Sequence, residues 1–256
     1  MTTTLLVSIL LGLAIGVLLG LLGGGGSILA VPALVYGAGL PLSAAVPTSL
    51  LVVGISSATA VIPRLRRVQW RLAAIFAAAG AIAAFGGAAV NRLLDPAVVL
   101  VGFAVLMVAA GARMLASQNE GGGSCSLPSG GVDWRSCLPK AVGAGLVVGF
   151  LTGLFGVGGG FLIIPALVLL LGLAMPEAVA TSLVIIVANS ASGFVAHLGD
   201  AHLQAPIAVP FILAAITGSL VAGRVASRLP ASKLRHWFAY LVFAVAAFVI
   251  YRAATG

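Results

Sequence analysis

Two short glycine-rich stretches carry the residue types in this chain best suited to hold a small anion. They read Gly23-Gly24-Gly25-Gly26-Ser27 and Gly156-Val157-Gly158-Gly159-Gly160, each set between apolar helical runs. The first four N–H groups of a helix have no internal partner, and the helix dipole places partial positive charge beside them. Glycine lets a ligand approach that backbone closely. Two such helix starts facing each other would cradle an anion, with Gly24, Gly25, Gly26 and Ser27 on one side and Gly158, Gly159 and Gly160 on the other. The plainer alternative for clustered glycines is helix packing. That role is assigned to Gly12, Gly16 and Gly20 and to Gly145, Gly149 and Gly153, which recur at the four-residue spacing of one helix face.

Hydroxyl pairs form the second group of candidates. Thr48-Ser49 and Thr181-Ser182 fall in the first turns of the helices that follow the glycine stretches. A hydroxyl can donate to an anion without bringing a charge into a bilayer, although in a membrane helix it more often bonds the carbonyl one turn back. Ser56, Ser57 and Thr59 follow on the first of these helices, and Asn189, Ser190 and Ser192 on the second. Asn189 is the most polar residue deep in any predicted span; ligand contact and an interhelical hydrogen bond are both open to it. The candidate substrate-binding set is therefore Gly24, Gly25, Gly26, Ser27, Thr48, Ser49, Gly158, Gly159, Gly160, Thr181, Ser182 and Asn189.

Other chemistry is poorly supplied. Glu177 stands at a predicted helix start, Asp95 and Asp200 in loops, and His197 at the end of a span. No carboxylate occupies the centre of a span, so a buried proton relay has no support. Neither glycine cluster is followed by the Lys-Ser/Thr of a phosphate-binding loop, and neither HExxH nor GxSxG occurs. The expectation is a protein with no catalytic residues, no metal and no cofactor. Cys125 and Cys137 lie without a CxxC spacing in one polar stretch and are expected to be reduced loop thiols.

The elements that must position these residues follow from composition. Of the 256 residues 61% are hydrophobic and 7% charged, far from the quarter charged of a soluble domain. With a mean hydropathy of +1.24, the continuous apolar runs predict an all-α polytopic membrane protein rather than a β-barrel. The net charge of +8 comes from arginines in short loops, where the positive-inside rule accounts for them, and nucleic acid is not an expected partner. The lipid bilayer and a small anion are; a homodimer is the assembly left open.

The chain repeats itself. Gly23, Gly25 and Gly26 recur as Gly156, Gly158 and Gly159, Pro32 as Pro165 and Thr48-Ser49-Leu50 as Thr181-Ser182-Leu183, all at a constant offset of 133 residues. The halves are 1–116 and 139–256, joined by a Gly/Ser-rich polar linker over 117–138. Predicted helices are 4–22, 26–40, 43–62, 71–91 and 97–116, then 139–155, 159–173, 176–197, 204–223 and 233–252. The second helix of each half spans only about 22 Å at helical rise, less than the roughly 30 Å hydrocarbon core. Each half is thus expected to open with a glycine-broken, re-entrant hairpin. The loop from Pro63 to Arg71 carries Arg64, Arg66, Arg67 and Arg71, whereas its repeat counterpart, 197–204, has no Lys or Arg. Equivalent loops then face opposite sides, which gives two inverted-topology repeats of about five helices, both termini outside and a cytoplasmic linker.

The duplicated element Gly23 to Leu34 followed by Thr48-Ser49-Leu50, and Gly156 to Leu167 followed by Thr181-Ser182-Leu183, resembles the TauE/SafE family of sulfite exporters. The first copy departs from the second by having Ser27 where the other has Gly160. The Arg-rich segment ending Val68-Gln69-Trp70-Arg71 is also similar to that family, and the resemblance covers nearly the whole chain outside 117–138. It implies an inner-membrane permease for small sulfur-containing anions, generally working as an exporter. A passive anion channel and a non-transporting scaffold are the alternatives on the same architecture.

Overall fold

A computed structural model of the chain describes residues 2–91, 93–116, 134–155, 160–196, 205–226 and 229–255. Every regular element among them is helical. The first half contains α1 (Thr2–Leu22), α2 (Gly25–Pro32), α3 (Leu42–Val61), α4 (Trp70–Asn91) and α5 (Pro96–Ala116). The second contains α6 (Trp134–Phe155), α7 (Gly160–Pro165), α8 (Met175–Ala196), α9 (Ala205–Ala226) and α10 (Ala231–Thr255). Five apolar helical stretches are long enough to cross a membrane: Ala44–Arg67, Trp70–Asn91, Cys137–Phe155, Met175–Val195 and Pro206–Ala226. Large apolar side chains cover the outside, Ile82 and Phe85 being 72% and 81% exposed, as a hydrocarbon solvent requires.

The short second helices are shorter than predicted, and proline is the reason. Pro32 and Pro165 have no N–H to offer the carbonyl four residues back. The helix widens after each into a π turn, Ala33–Gly37 and Ala166–Leu170. Ala38 then donates to the Ala33 carbonyl at 3.1 Å and Leu171 to the Ala166 carbonyl at 3.3 Å. Gly39 and Gly172 close the segments with φ of +71° and +69°, and Leu40 and Leu173 donate back to Leu34 and Leu167 at 3.0 Å each. These are glycine C-terminal caps, built identically 133 residues apart. The eight residues of α2 rise only about 12 Å.

Small residues set the helix pairs. A Cβ on Gly12 would meet the Phe211 carbonyl at 2.5 Å, one on Gly16 would land on the Ala215 backbone and one on Gly20 on that of Ser219. The contacts advance four residues at a time on both helices, so α1 and α9 run in the same direction at backbone contact. Gly145, Gly149 and Gly153 do the same against Phe76, Gly80 and Ala84, so α6 and α4 also run together. The central pair differs. Gly54 packs on Ser190 and Gly193 on Leu50, so α3 and α8 cross in opposite directions.

Three expectations change. Helix α6 starts at Trp134, inside the stretch read as linker; 117–133 lie outside the described residues. Cys137 is consequently a fully buried helical residue engaged in a disulfide, not a reduced loop thiol. The stretch after α3 is not a free loop: Ile62–Arg67 continues the helix as a 3-10 turn and folds Arg64 inward.

The packing reading carries a testable consequence. Gly149→Leu forces its side chain into the Gly80 backbone and is expected to cost at least the 1–3 kcal/mol typical of overpacking. Gly143 has open space around it, so Gly143→Ala is expected to leave the thermal midpoint of the detergent-solubilised protein unchanged or slightly raised. Equal midpoints for the two variants would refute the assignment.

Candidate functional site

The first glycine turn meets the start of α7. A Cβ on Gly24 would land on the Gly160 carbonyl, and one on Gly160 would lie 2.5 Å from Ser27 Oγ and 3.1 Å from Ile186 Cδ1. Ser27 and Gly160 are themselves 133 residues apart, so the junction falls where the equivalent positions of the two halves face each other. Gly23 has φ +69° and turns the chain out of α1; an added Cβ there would lie 3.0 Å from Ser182 Oγ, 3.1 Å from Ile164 and 3.3 Å from Val179. The structure therefore gathers Gly23, Gly24, Ser27, Gly160 and Ser182 at one place, contributed by the α1–α2 turn, the start of α7 and the first half of α8. Gly25 opens α2. Gly26 faces elsewhere: its Cβ would meet Leu19 Cγ at 2.6 Å and the Ile15 carbonyl at 2.8 Å, so it packs α2 against α1. Gly158 and Gly159 lie outside the described residues.

The breaks are held by neighbouring side chains. A helix ending inside a bilayer leaves carbonyls that only protein or a water-filled cavity can satisfy. At the end of α6, Asn91 Nδ2 donates to the Leu154 carbonyl at 2.5 Å. At the end of α1, Arg64 Nη2 donates to the Gly20 carbonyl at 2.6 Å and to Gly223 on α9 at 3.2 Å. Phe103 on α5 lies tilted against Phe155 at 5.4 Å and edge-on against Phe161 at 5.3 Å, so one ring touches the last residue of α6 and the second residue of α7.

The hydroxyl pairs do not converge. Gly54 against Ser190 marks the α3–α8 crossing. Thr48 precedes Gly54 by six residues and Thr181 precedes Ser190 by nine, on helices running in opposite directions. At helical rise that sets the pairs about 22 Å apart along the axes, too far for one small anion to touch both. Three of their four protons are also engaged locally. Thr48 Oγ1 donates to Ala44 at 2.6 Å, Ser49 Oγ to Val46 at 2.7 Å and Ser182 Oγ to Val179 at 2.9 Å. Thr181 Oγ1 accepts the Gln69 N–H at 3.1 Å, at the start of α4. Ser27 Oγ donates to the Gly24 carbonyl at 2.6 Å and stiffens the first turn of α2. Asn189 is half-buried one residue before Ser190.

Two residues outside the predicted set stand out at the crossing. Ser56 and Ser57 are fully buried, and neither Oγ has a hydrogen-bond partner. Ser57 is the repeat equivalent of Ser190, and Ser56 of Asn189. An unpaired buried hydroxyl costs about 1–3 kcal/mol. Arg64 was also missed as an interior residue. Sequence placed it in an arginine loop, and only its position next to the apolar Pro63 and Leu65 hinted that it could turn inward.

Ser57→Ala tests this packing. Removing a buried hydroxyl without a partner is expected to leave the thermal midpoint unchanged or raise it by a few degrees. A midpoint lowered by several degrees would show that the hydroxyl is bonded in the folded protein.

The comparisons with known proteins agree with this architecture. The profile of the family described as Sulfite exporter TauE/SafE matches residues 8–249. The chain is 36% identical to a "Probable membrane transporter protein" of Xylella fastidiosa (strain Temecula1) over 98% of its own length and 96% of the relative's. It is 32% identical to "Probable membrane transporter protein YunE" of Bacillus subtilis (strain 168), over 77% of this chain and 79% of that one. No solved structure matches.

Proposed function

Because the chain belongs to the sulfite exporter TauE/SafE family of membrane transporters, we propose that it is a secondary transporter exporting a small sulfur-containing oxyanion, sulfite first among them, across the plasma membrane. The observation that carries this reading is the backbone contact between Gly24 and Gly160, with Ser27 and Ser182 beside it. Apolar helices long enough to cross surround two short segments, α2 and α7, whose starts face each other. An anion is held there by backbone N–H groups and hydroxyls, without a counter-charge that the bilayer interior would penalise.

The halves 1–116 and 139–256 are read as inverted repeats. The opposed directions of α3 and α8 support this, as do the matched pairs α1 with α9 and α4 with α6. In such an arrangement the equivalent positions Ser27 and Gly160 lie near the pseudo-two-fold axis and the membrane midplane. Thr48 and Thr181 then fall on opposite sides of it, one toward each face, and serve as successive contacts for the anion on its way through. With Gly24 against Gly160 the path is closed at its centre, and transport requires this contact to part, toward one face and then the other.

Sulfite flux from proteoliposomes containing the purified protein tests the reading. Saturable efflux is expected, with Gly160→Ala, whose new methyl displaces Ser27 Oγ, slower by at least tenfold. Flux that rises linearly without saturation would make the protein a channel. Unchanged flux in Gly160→Ala would remove the junction from the path.

A further inference from the structure

The most deeply buried positive charge among the described residues lies at the end of α3. Arg64 is 5% exposed. Its Nη2 is committed to the carbonyls of Gly20 and Gly223, whereas its Nη1 is buried with no hydrogen-bond partner. Arg64 and Arg67 line one cavity of about 70 Å³, walled also by Pro63, Pro176, Val179 and Leu234. About 10–15 Å³ of such volume holds one water, so this space accepts several waters or one small oxyanion. Two cations therefore share the wall of a small cavity, and one of them carries an unsatisfied donor. Glu177, the acidic residue in the first turn of α8, is not part of the wall although its neighbour Pro176 is. A planar guanidinium with a free N–H group favours an oxyanion over any other small ligand.

Position adds a second argument. Val179 lines this cavity and also stands 3.3 Å from where a Cβ of Gly23 would lie. One valine thus separates the cavity from the glycine junction. Arg66 and Arg71 belong to the same arginine-rich face, the one the positive-inside rule assigns to the cytoplasm.

We propose that the Arg64–Arg67 cavity is a second oxyanion-binding site, a staging site on the cytoplasmic side of the junction, in which Arg64 Nη1 donates to the bound oxyanion and Arg67 supplies the second charge. Naming sulfite as its occupant rests on the transporter reading above. The phosphate of an anionic lipid headgroup offers the same chemistry, and the experiment separates the two.

Binding of radiolabelled sulfite is measured on the full chain in phosphatidylcholine nanodiscs, for wild type, Arg67→Gln and Arg64→Lys. The site predicts affinity at least tenfold weaker in both arginine variants. Arg67 is exposed, so Arg67→Gln is the deciding variant if Arg64→Lys fails to elute as a folded species. Wild-type affinity in Arg67→Gln overturns the staging site even where proteoliposome flux is normal. If wild type binds no sulfite, the transporter reading loses its cargo, and native mass spectrometry of nanodiscs containing phosphatidylglycerol decides the site. Lipid retained by wild type and lost from Arg67→Gln supports an oxyanion site filled by a headgroup, and no retained lipid overturns it.

Discussion

A helix interrupted inside a bilayer exposes backbone polar groups where no solvent can take them, and the rest of this structure answers that constraint. Each half has one such break, after α1 and after α6. At each, a polar side chain from a neighbouring element reaches in to the stranded carbonyl: Arg64 to Gly20 and Asn91 to Leu154. The two solutions differ chemically although the breaks are equivalent by repeat. The first brings a full positive charge inside the protein and the second does not. Equivalent breaks in the sequence repeat therefore carry different electrostatics.

The breaks can be brought together only because the long helices approach closely. Glycine at four-residue spacing lets α1 lie on α9 and α6 on α4 at backbone contact. Dispersion between packed backbones and the hydrogen bonds at the breaks do the work that hydrophobic burial does in water, since lipid is as apolar as the helix surface. The same closeness brings Gly24 onto Gly160. Helix packing and the Gly24–Gly160 junction therefore use the same property of glycine at different positions.

Much of this was legible from residue order. The glycine breaks, the repeat offset, the long spans and the packing stripes are local patterns, and they reappear as α1 to α10 with ends shifted by a few residues. The exceptions have local causes that could have been weighed. Pro32 and Pro165 convert the later part of each short helix into a π turn, and α6 extends back to Trp134. Which candidate residues meet was legible in part. Gly24, Ser27, Gly160 and Ser182 come together, whereas Gly26 packs on α1 and the Thr-Ser pairs stand on opposite sides of the α3–α8 crossing.

The sequence by itself determined that the chain is helical, embedded in a membrane, duplicated and broken at two matching glycine turns, because hydropathy, glycine and proline act on their immediate neighbours. Which equivalent residues actually meet was decided by tertiary structure. When two matching helices cross in opposite directions, only residues near the crossing approach their counterparts, and all others are carried apart. Ser27 faces Gly160 for that reason, and Thr48 is separated from Thr181 for the same reason. The burial of Arg64, and the unpaired hydroxyls of Ser56 and Ser57, also arise only when distant helices close around them.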